Sequence, residues 1–77
     1  MNLEKYNEVF MNVFEIEESD LNEKLKFGES SWDSLAHMEL ISQLEDVFDI
    51  MLDTDDIINY GSYENGKKVL AKYGIEI

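Results

Sequence analysis

From Leu3 through Tyr6, Phe10 and Val13, apolar residues return at steps of three and four, the spacing of one face of an α-helix. Asn2 is a residue type favoured at a helix N-cap, so a first helix is predicted over Asn2 to Phe14, ending near Glu15. The period then disappears. Between Glu15 and Asp33 the chain gathers Ser19, Asp20, Asn22, Gly28, Ser30 and Ser31, with Ile16, Leu21, Leu25 and Phe27 as scattered apolar anchors. That pattern predicts a long loop pinned to a core. Loops of this length without structure of their own are uncommon in compact domains, and one helical turn within Asp20 to Lys26 remains an open alternative.

Asp33 to Asp49 carries the strongest helical pattern. Leu40, Ile41, Leu44, Val47 and Phe48 fall on one broad face, while Glu39, Ser42, Glu45, Asp46 and Asp49 cluster on another, so one face packs and the other meets water. Leu35 and Met38 lie at the border near the N-terminal end, where they are the apolar residues expected to stay exposed; for Met38 a core position is equally open. Asp53-Thr54-Asp55-Asp56 supplies an N-cap and first-turn acids for a short helix containing Ile57 and Ile58 and ending near Tyr60-Gly61, with the glycine as C-cap. From Ser62 the spacing of Tyr63, Gly66, Val69, Leu70 and Tyr73 predicts a last helix, closed by Gly74, with Lys67, Lys68 and Lys72 toward its negative end. Strand-like alternation is confined to Ile75 and Ile77. The expected fold is all-α: a small four-helix bundle, three main helices plus a short third one, with a long loop between helices 1 and 2.

With 77 residues, the chain can hold one small core, and a single domain over 1–77 is expected. An apolar share of 44 % argues for a folded core despite the charge. There is no cysteine and no zinc-ligand spacing, so packing alone must stabilise the fold, and no metal site is expected. A formal charge of −12 repels nucleic acid and anionic membranes and attracts basic protein surfaces. The first ten residues place Glu4, Lys5 and Glu8 inside their apolar pattern, which fits neither a signal peptide nor a membrane span. A monomeric cytoplasmic protein with basic protein partners is expected.

The candidate chemistry lies in the run Ser31-Trp32-Asp33-Ser34-Leu35, at the head of the long acidic helix. With Glu39-Leu40, the Leu44-Glu45-x-x-Phe48 run and the acidic turn opening the short helix, it resembles the acyl carrier protein family over nearly the whole chain. The resemblance implies that Ser34, flanked by Asp33 and Leu35, receives 4'-phosphopantetheine from coenzyme A through a phosphopantetheinyl transferase. The arm's thiol would then carry an acyl or aminoacyl group as a thioester between a loading ligase and downstream transferases, with no catalysis by the carrier. Leu35, His37, Met38, Glu39, Ser42, Glu45, Asp46 and Asp49 would form the face meeting those enzymes, with His37 a surface residue near the arm. Independently of the resemblance, the positive end of a helix would favour a phosphodiester on Ser34 by about 0.3–1 kcal/mol.

Simpler readings stand beside this one. Asp33 or Ser34 can serve merely as a helix cap. Ser34 and His37, three residues apart, share a helical face, but a catalytic serine also needs a group orienting its base and a shielded oxyanion site, and this chain has a single histidine. Asp53, Asp55 and Asp56 hint at a calcium loop with Glu64 at its twelfth position, yet the sixth, which needs Gly, holds Ile58, so the match is partial and helix capping with a solvated acidic turn is expected instead. Ser31-Trp32, in place of small residues before Asp-Ser-Leu, looks closer to carriers of D-alanyl or other activated acids than to the carrier of fatty acid synthesis. The alternative from another class is an unmodified acidic helical adaptor that binds one basic partner.

Overall fold

A computed structural model describes residues 2–29 and 31–77; Met1, and Ser30 of the loop, lie outside the described residues. Four α-helices follow in order: α1 (Asn2–Phe14), α2 (Ser34–Phe48), α3 (Thr54–Asn59) and α4 (Tyr63–Ala71). Among the described residues there is no strand, and no helix is long and apolar enough to cross a membrane. The expected all-α bundle with a long first loop is the observed fold.

α1 packs along α2, burying Tyr6, Val9, Phe10 and Phe14. Leu3, in the first turn, is 41 % exposed and so is not part of the core stripe. Asn2 belongs to the helix rather than capping it; its side-chain amide donates to the Glu76 carbonyl at 2.9 Å and holds the two ends of the chain together. The loop is less irregular than its composition implies. It contains a 3-10 turn at Glu18–Asp20, slightly before the predicted stretch, closed by Asp20 Oδ2, which accepts from the Glu17 amide at 3.1 Å. Leu25 is buried and Ile16 and Leu21 pack half-buried against the core, whereas Phe27 stays at the surface.

What fixes the loop is a short antiparallel bridge between Lys26 and Ser62. The Phe27 amide donates to the Gly61 carbonyl at 2.8 Å and the Tyr63 amide donates to the Leu25 carbonyl at 2.9 Å. Gly61 adopts φ 64°, a left-handed conformation that other residues adopt at a cost, and it thereby turns the chain from α3 into α4. The loop is thus tied to the α3–α4 junction on the side of the molecule where α2 begins.

The core is strongly aromatic. Trp32, Tyr6, Tyr60 and Phe10 are essentially inaccessible, together with Leu40, Leu44 and Leu70. Buried phenols need partners, and they have them: Tyr60 donates to the Tyr6 hydroxyl at 2.9 Å, and Tyr6 donates to the Tyr63 carbonyl at 2.7 Å. Burial pushes both phenols well above the ordinary tyrosine range, so they remain neutral donors. Val47, placed on the packed face from the sequence, is 42 % exposed. At 100° per residue it stands about 80° from the centre of the stripe that His37, Leu40, Ile41, Leu44 and Phe48 define, at the edge of what a packed helix covers. Ile58 is likewise turned outward, 70 % exposed, while Ile57 packs partly against the core.

α3 is held by polar contacts rather than by a broad apolar face. The turn expected to be a solvated acidic cluster instead buries one member: Asp56 is 9 % exposed, and its carboxylate accepts from Lys72 Nζ and from the Tyr73 hydroxyl, both at 2.5 Å. The Tyr73 oxygen in turn accepts from the Asp53 amide at 2.9 Å, so that Asp53 meets its neighbour through its backbone while its side chain makes no cap bond. Lys72 therefore serves as a tie to α3 as well as a favourable charge at a helix end. Among the described residues, no group of three or more acidic or histidine side chains is placed to hold a metal ion.

The Lys72 ammonium, then the Tyr73 hydroxyl, hold the Asp56 carboxyl below its usual range. A carboxyl depressed in the folded state contributes stability that is complete above its unfolded pKa, about 3.9, and disappears as pH falls through the lower folded value. Asp56→Asn should therefore lower the thermal midpoint at pH 7. The gap from the parent protein should persist down to the ordinary carboxylate range and close only below it, in melts recorded from pH 7 to 2.

Candidate functional site

The approach to α2 is set by a tight turn. Gly28, at φ 93°, lets the chain double back, with its amide donating to the Trp32 carbonyl at 2.9 Å and the Trp32 amide donating to Glu29 at 3.0 Å. The turn drops the Trp32 ring into the core, where 1 % of it is exposed. The next residue, Asp33, stays extended and caps the helix: its Oδ1 accepts from the Ala36 amide at 2.9 Å. The choice between Asp33 and Ser34 as cap is thus resolved in favour of Asp33. Ser34 is the first residue within the helix, and it is exposed.

His37 lies where the sequence reading did not put it. Instead of a surface residue it is a buried one, 9 % exposed. The Trp32 indole donates to His37 Nδ1 at 2.9 Å, and His37 Nε2 meets the Ile57 carbonyl at 2.8 Å. An indole N–H can only donate, so Nδ1 is the acceptor and Nε2 carries the hydrogen given to Ile57. Both ring nitrogens are committed to structure. His37 is therefore not placed as a base for Ser34, which removes the serine–histidine pair. The cue was present in the sequence: positions 37, 40, 41 and 44 repeat at helical spacing and place the histidine on the packed stripe.

Beside Ser34 a groove of about 550 Å³ opens between α2 and α3, lined by Phe27, His37, Met38, Ile57, Ile58 and Gly61. Phe27 stands edge-on to the His37 ring at 5.5 Å between centroids. Leu35 and Met38, 84 % and 57 % exposed, flank the serine as expected, and the core alternative for Met38 is set aside. Such exposure of large apolar side chains at one helix end marks a surface that contacts something else.

Further along α2, Glu39, Ser42, Asp46 and the C-cap residue Asp49 are exposed. Glu45 departs from this set, being half-buried: its carboxylate accepts from the Leu52 amide at 2.9 Å and fastens the chain leaving α2. The first turn of α2 contains no acid, so the unpaired amides and positive end of that 15-residue helix face the serine side without a competing side-chain charge inside the helix. An exposed hydroxyl there, next to an apolar groove, is an arrangement suited to an ester-linked anionic group. The residues present fit a phosphopantetheine arm.

Comparison with known proteins agrees. A family model described as the phosphopantetheine attachment site matches residues 8–65, well over half of the chain. No curated protein and no solved structure gives a significant match. Proteins of the matched family are non-catalytic carriers with covalently attached 4'-phosphopantetheine. With that match over a small all-helical domain, the chain belongs to the phosphopantetheine-binding carrier family, the family of the acyl carrier proteins.

Proposed function

We propose that Ser34 Oγ is the attachment point, and that the chain, as one carrier domain over 1–77, presents an acyl or aminoacyl group to successive enzymes of the cytoplasm. The observation that carries this reading is the exposed Ser34 hydroxyl at the first position of α2, with Asp33 supplying the cap beside it. When bound, the arm supplies a thiol, and hence thioester chemistry, to a chain that has no cysteine of its own. Asp33 fixes the first turn, so that Ser34 points out of a formed helix. The helix N-terminus favours the phosphodiester by about 0.3–1 kcal/mol.

Leu35 and Met38 supply apolar contact to a phosphopantetheinyl transferase and to the enzymes that load and unload cargo, and Glu39, Ser42, Asp46 and Asp49 face basic patches on them. Encounters of this kind are fast, weak and salt-sensitive, which suits a carrier that must be released. His37 contributes by holding the groove rather than by touching a partner.

Incubation with coenzyme A and a broad-specificity phosphopantetheinyl transferase tests the reading. Intact mass should rise by a single arm, and peptide mapping should place it on Ser34. A protein that gains no arm would stand as an unmodified acidic adaptor instead. The acidic face is tested separately by charge reversal. Glu39→Lys or Asp46→Lys should slow modification severalfold at low salt, and more than Glu4→Lys or Glu8→Lys on α1. Equal losses at both places would show that only net charge matters. Glu45 is unsuitable for this comparison, since reversing it also removes the acceptor of the Leu52 amide.

A further inference from the structure

The groove beside Ser34 has a floor, and the floor is closed. Its most buried lining residue is His37, with Ile57 and Gly61 half-buried beside it; the core side chains Trp32, Leu40, Leu44, Tyr60 and Leu70 do not line it. His37 and Ile57 are joined by the hydrogen bond from His37 Nε2 to the Ile57 carbonyl, which straps α2 to α3 across the gap between them. Immediately behind the histidine lies the Trp32 ring, stacked at 6.0 Å and 25° and bonded to Nδ1. Tyr60 meets the same imidazole edge-on at 6.2 Å.

Behind those rings the interior is full. Phe10 packs on Trp32 at 5.6 Å, and Tyr60 and Tyr6 are locked by their hydroxyl relay. They press so closely on α4 that Gly66 has no space for a β-carbon. Among the described residues no buried side-chain polar atom lacks a partner. A chain entering from the groove would have to break both hydrogen bonds of His37, one buried and one part-buried, and displace close-packed aromatic rings, with nothing to restore those bonds.

We infer that the His37 strap, backed by Trp32 and Tyr60, bars cargo from the interior, so that this carrier conveys short acyl or aminoacyl groups that remain at the surface groove rather than long acyl chains folded into the core. The inference rests on the reading that Ser34 bears the arm. A short or polar acid loses little by staying in contact with water, whereas a long alkyl chain left outside the fold would expose its whole length. The discriminating feature is thus the depth of the site: each carbon beyond what the groove covers finds no further apolar contact.

The test loads the full chain from acetyl-, butyryl-, hexanoyl- and octanoyl-coenzyme A with a broad-specificity transferase, and checks each product by intact mass. Thermal midpoints and NMR shifts are then compared across the series. The expected result is a midpoint that stops rising once the groove is filled, with shift changes in all four forms confined to Phe27, Met38, Ile58 and their neighbours. Each further methylene buried in the core would raise the midpoint by about 3–6 °C. A midpoint still climbing at octanoyl, with shifts spreading to Leu40, Leu44 and Leu70, would overturn the inference while leaving attachment at Ser34 intact. Failure to load would overturn the attachment reading and the inference with it. In His37→Ala the strap is gone, so octanoyl should stabilise the protein relative to acetyl. His37→Gln, which can still accept from Trp32 and donate to Ile57, should behave as the parent does. Chain-length dependence equal in the parent and in His37→Ala would count against the strap as the barrier.

Discussion

Replacing Ser34 by alanine should abolish attachment of the arm outright while leaving the thermal midpoint unchanged or slightly raised. The two halves of this result come from different residues. The cap bond to the Ala36 amide is made by Asp33, so the serine does not satisfy it. As an exposed residue in the first turn, Ser34 gains from alanine's better helix propensity by at most about 0.5 kcal/mol. Asp33→Ala should show the complementary pattern, costing about 0.5–2 kcal/mol of stability while leaving a hydroxyl to modify. Intact mass and circular dichroism on both variants check the separation. An arm found on Ser34→Ala protein would sink the assignment, and an unfolded Ser34→Ala would show the serine to be structural.

The largest loss of stability is expected at Gly66. In an ordinary helix interior a change from glycine to alanine gains about 1 kcal/mol, and α4 is otherwise regular. Here the added carbon would run into the Tyr6 hydroxyl and into both Cζ and the hydroxyl of Tyr60. Neither ring is free to swing aside, because each is fully buried and the pair is chained to the Tyr63 carbonyl by two hydrogen bonds. Overpacking of this kind costs about 1–3 kcal/mol or more, and a buried hydroxyl stripped of its partner adds about 1–3. Net of the helix gain, Gly66→Ala should lose roughly 2–4 kcal/mol, which lowers the midpoint by roughly 10–25 °C. Because the Tyr60 ring carbon itself stands in the way, adding Tyr60→Phe should not restore the loss. A Gly66→Ala protein as stable as the parent would mean that the aromatic cluster is looser than the hydrogen bonds imply.

The helices were readable because their signals are local: three- and four-residue spacing in α1, α2 and α4, an aspartate before Ser34, a glycine after Tyr60. The place of Ser34 at the helix start and the exposure of Leu35 were readable for the same reason, whereas Met38 stood open between surface and core. What escaped the sequence were contacts between distant segments. Asp56 reads as one more acid in an acidic turn until Lys72 and Tyr73, sixteen and seventeen residues away, bring their donors to it. Gly66 reads as a weak spot in a helix until the rings of Tyr6 and Tyr60 are placed over it. His37 is the instructive case, since its spacing put it on the packed face, but its polarity and its closeness to Ser34 pulled the interpretation toward the surface. The indole of Trp32 is only five residues away, but nothing local announced that a carbonyl twenty residues on would satisfy the other nitrogen.

Trp32 is the chain's only tryptophan, and it lies in the core directly beneath the groove, hydrogen-bonded to the ring that forms the floor. The protein therefore contains its own optical gauge. Emission from an indole in so dry a setting lies toward the blue, and any event that parts α2 from α3 would admit water to that ring before it disturbed the remainder of the bundle. A partner whose docking parts α2 from α3 can thus be followed on unlabelled protein, in real time, from the colour of a single residue's light.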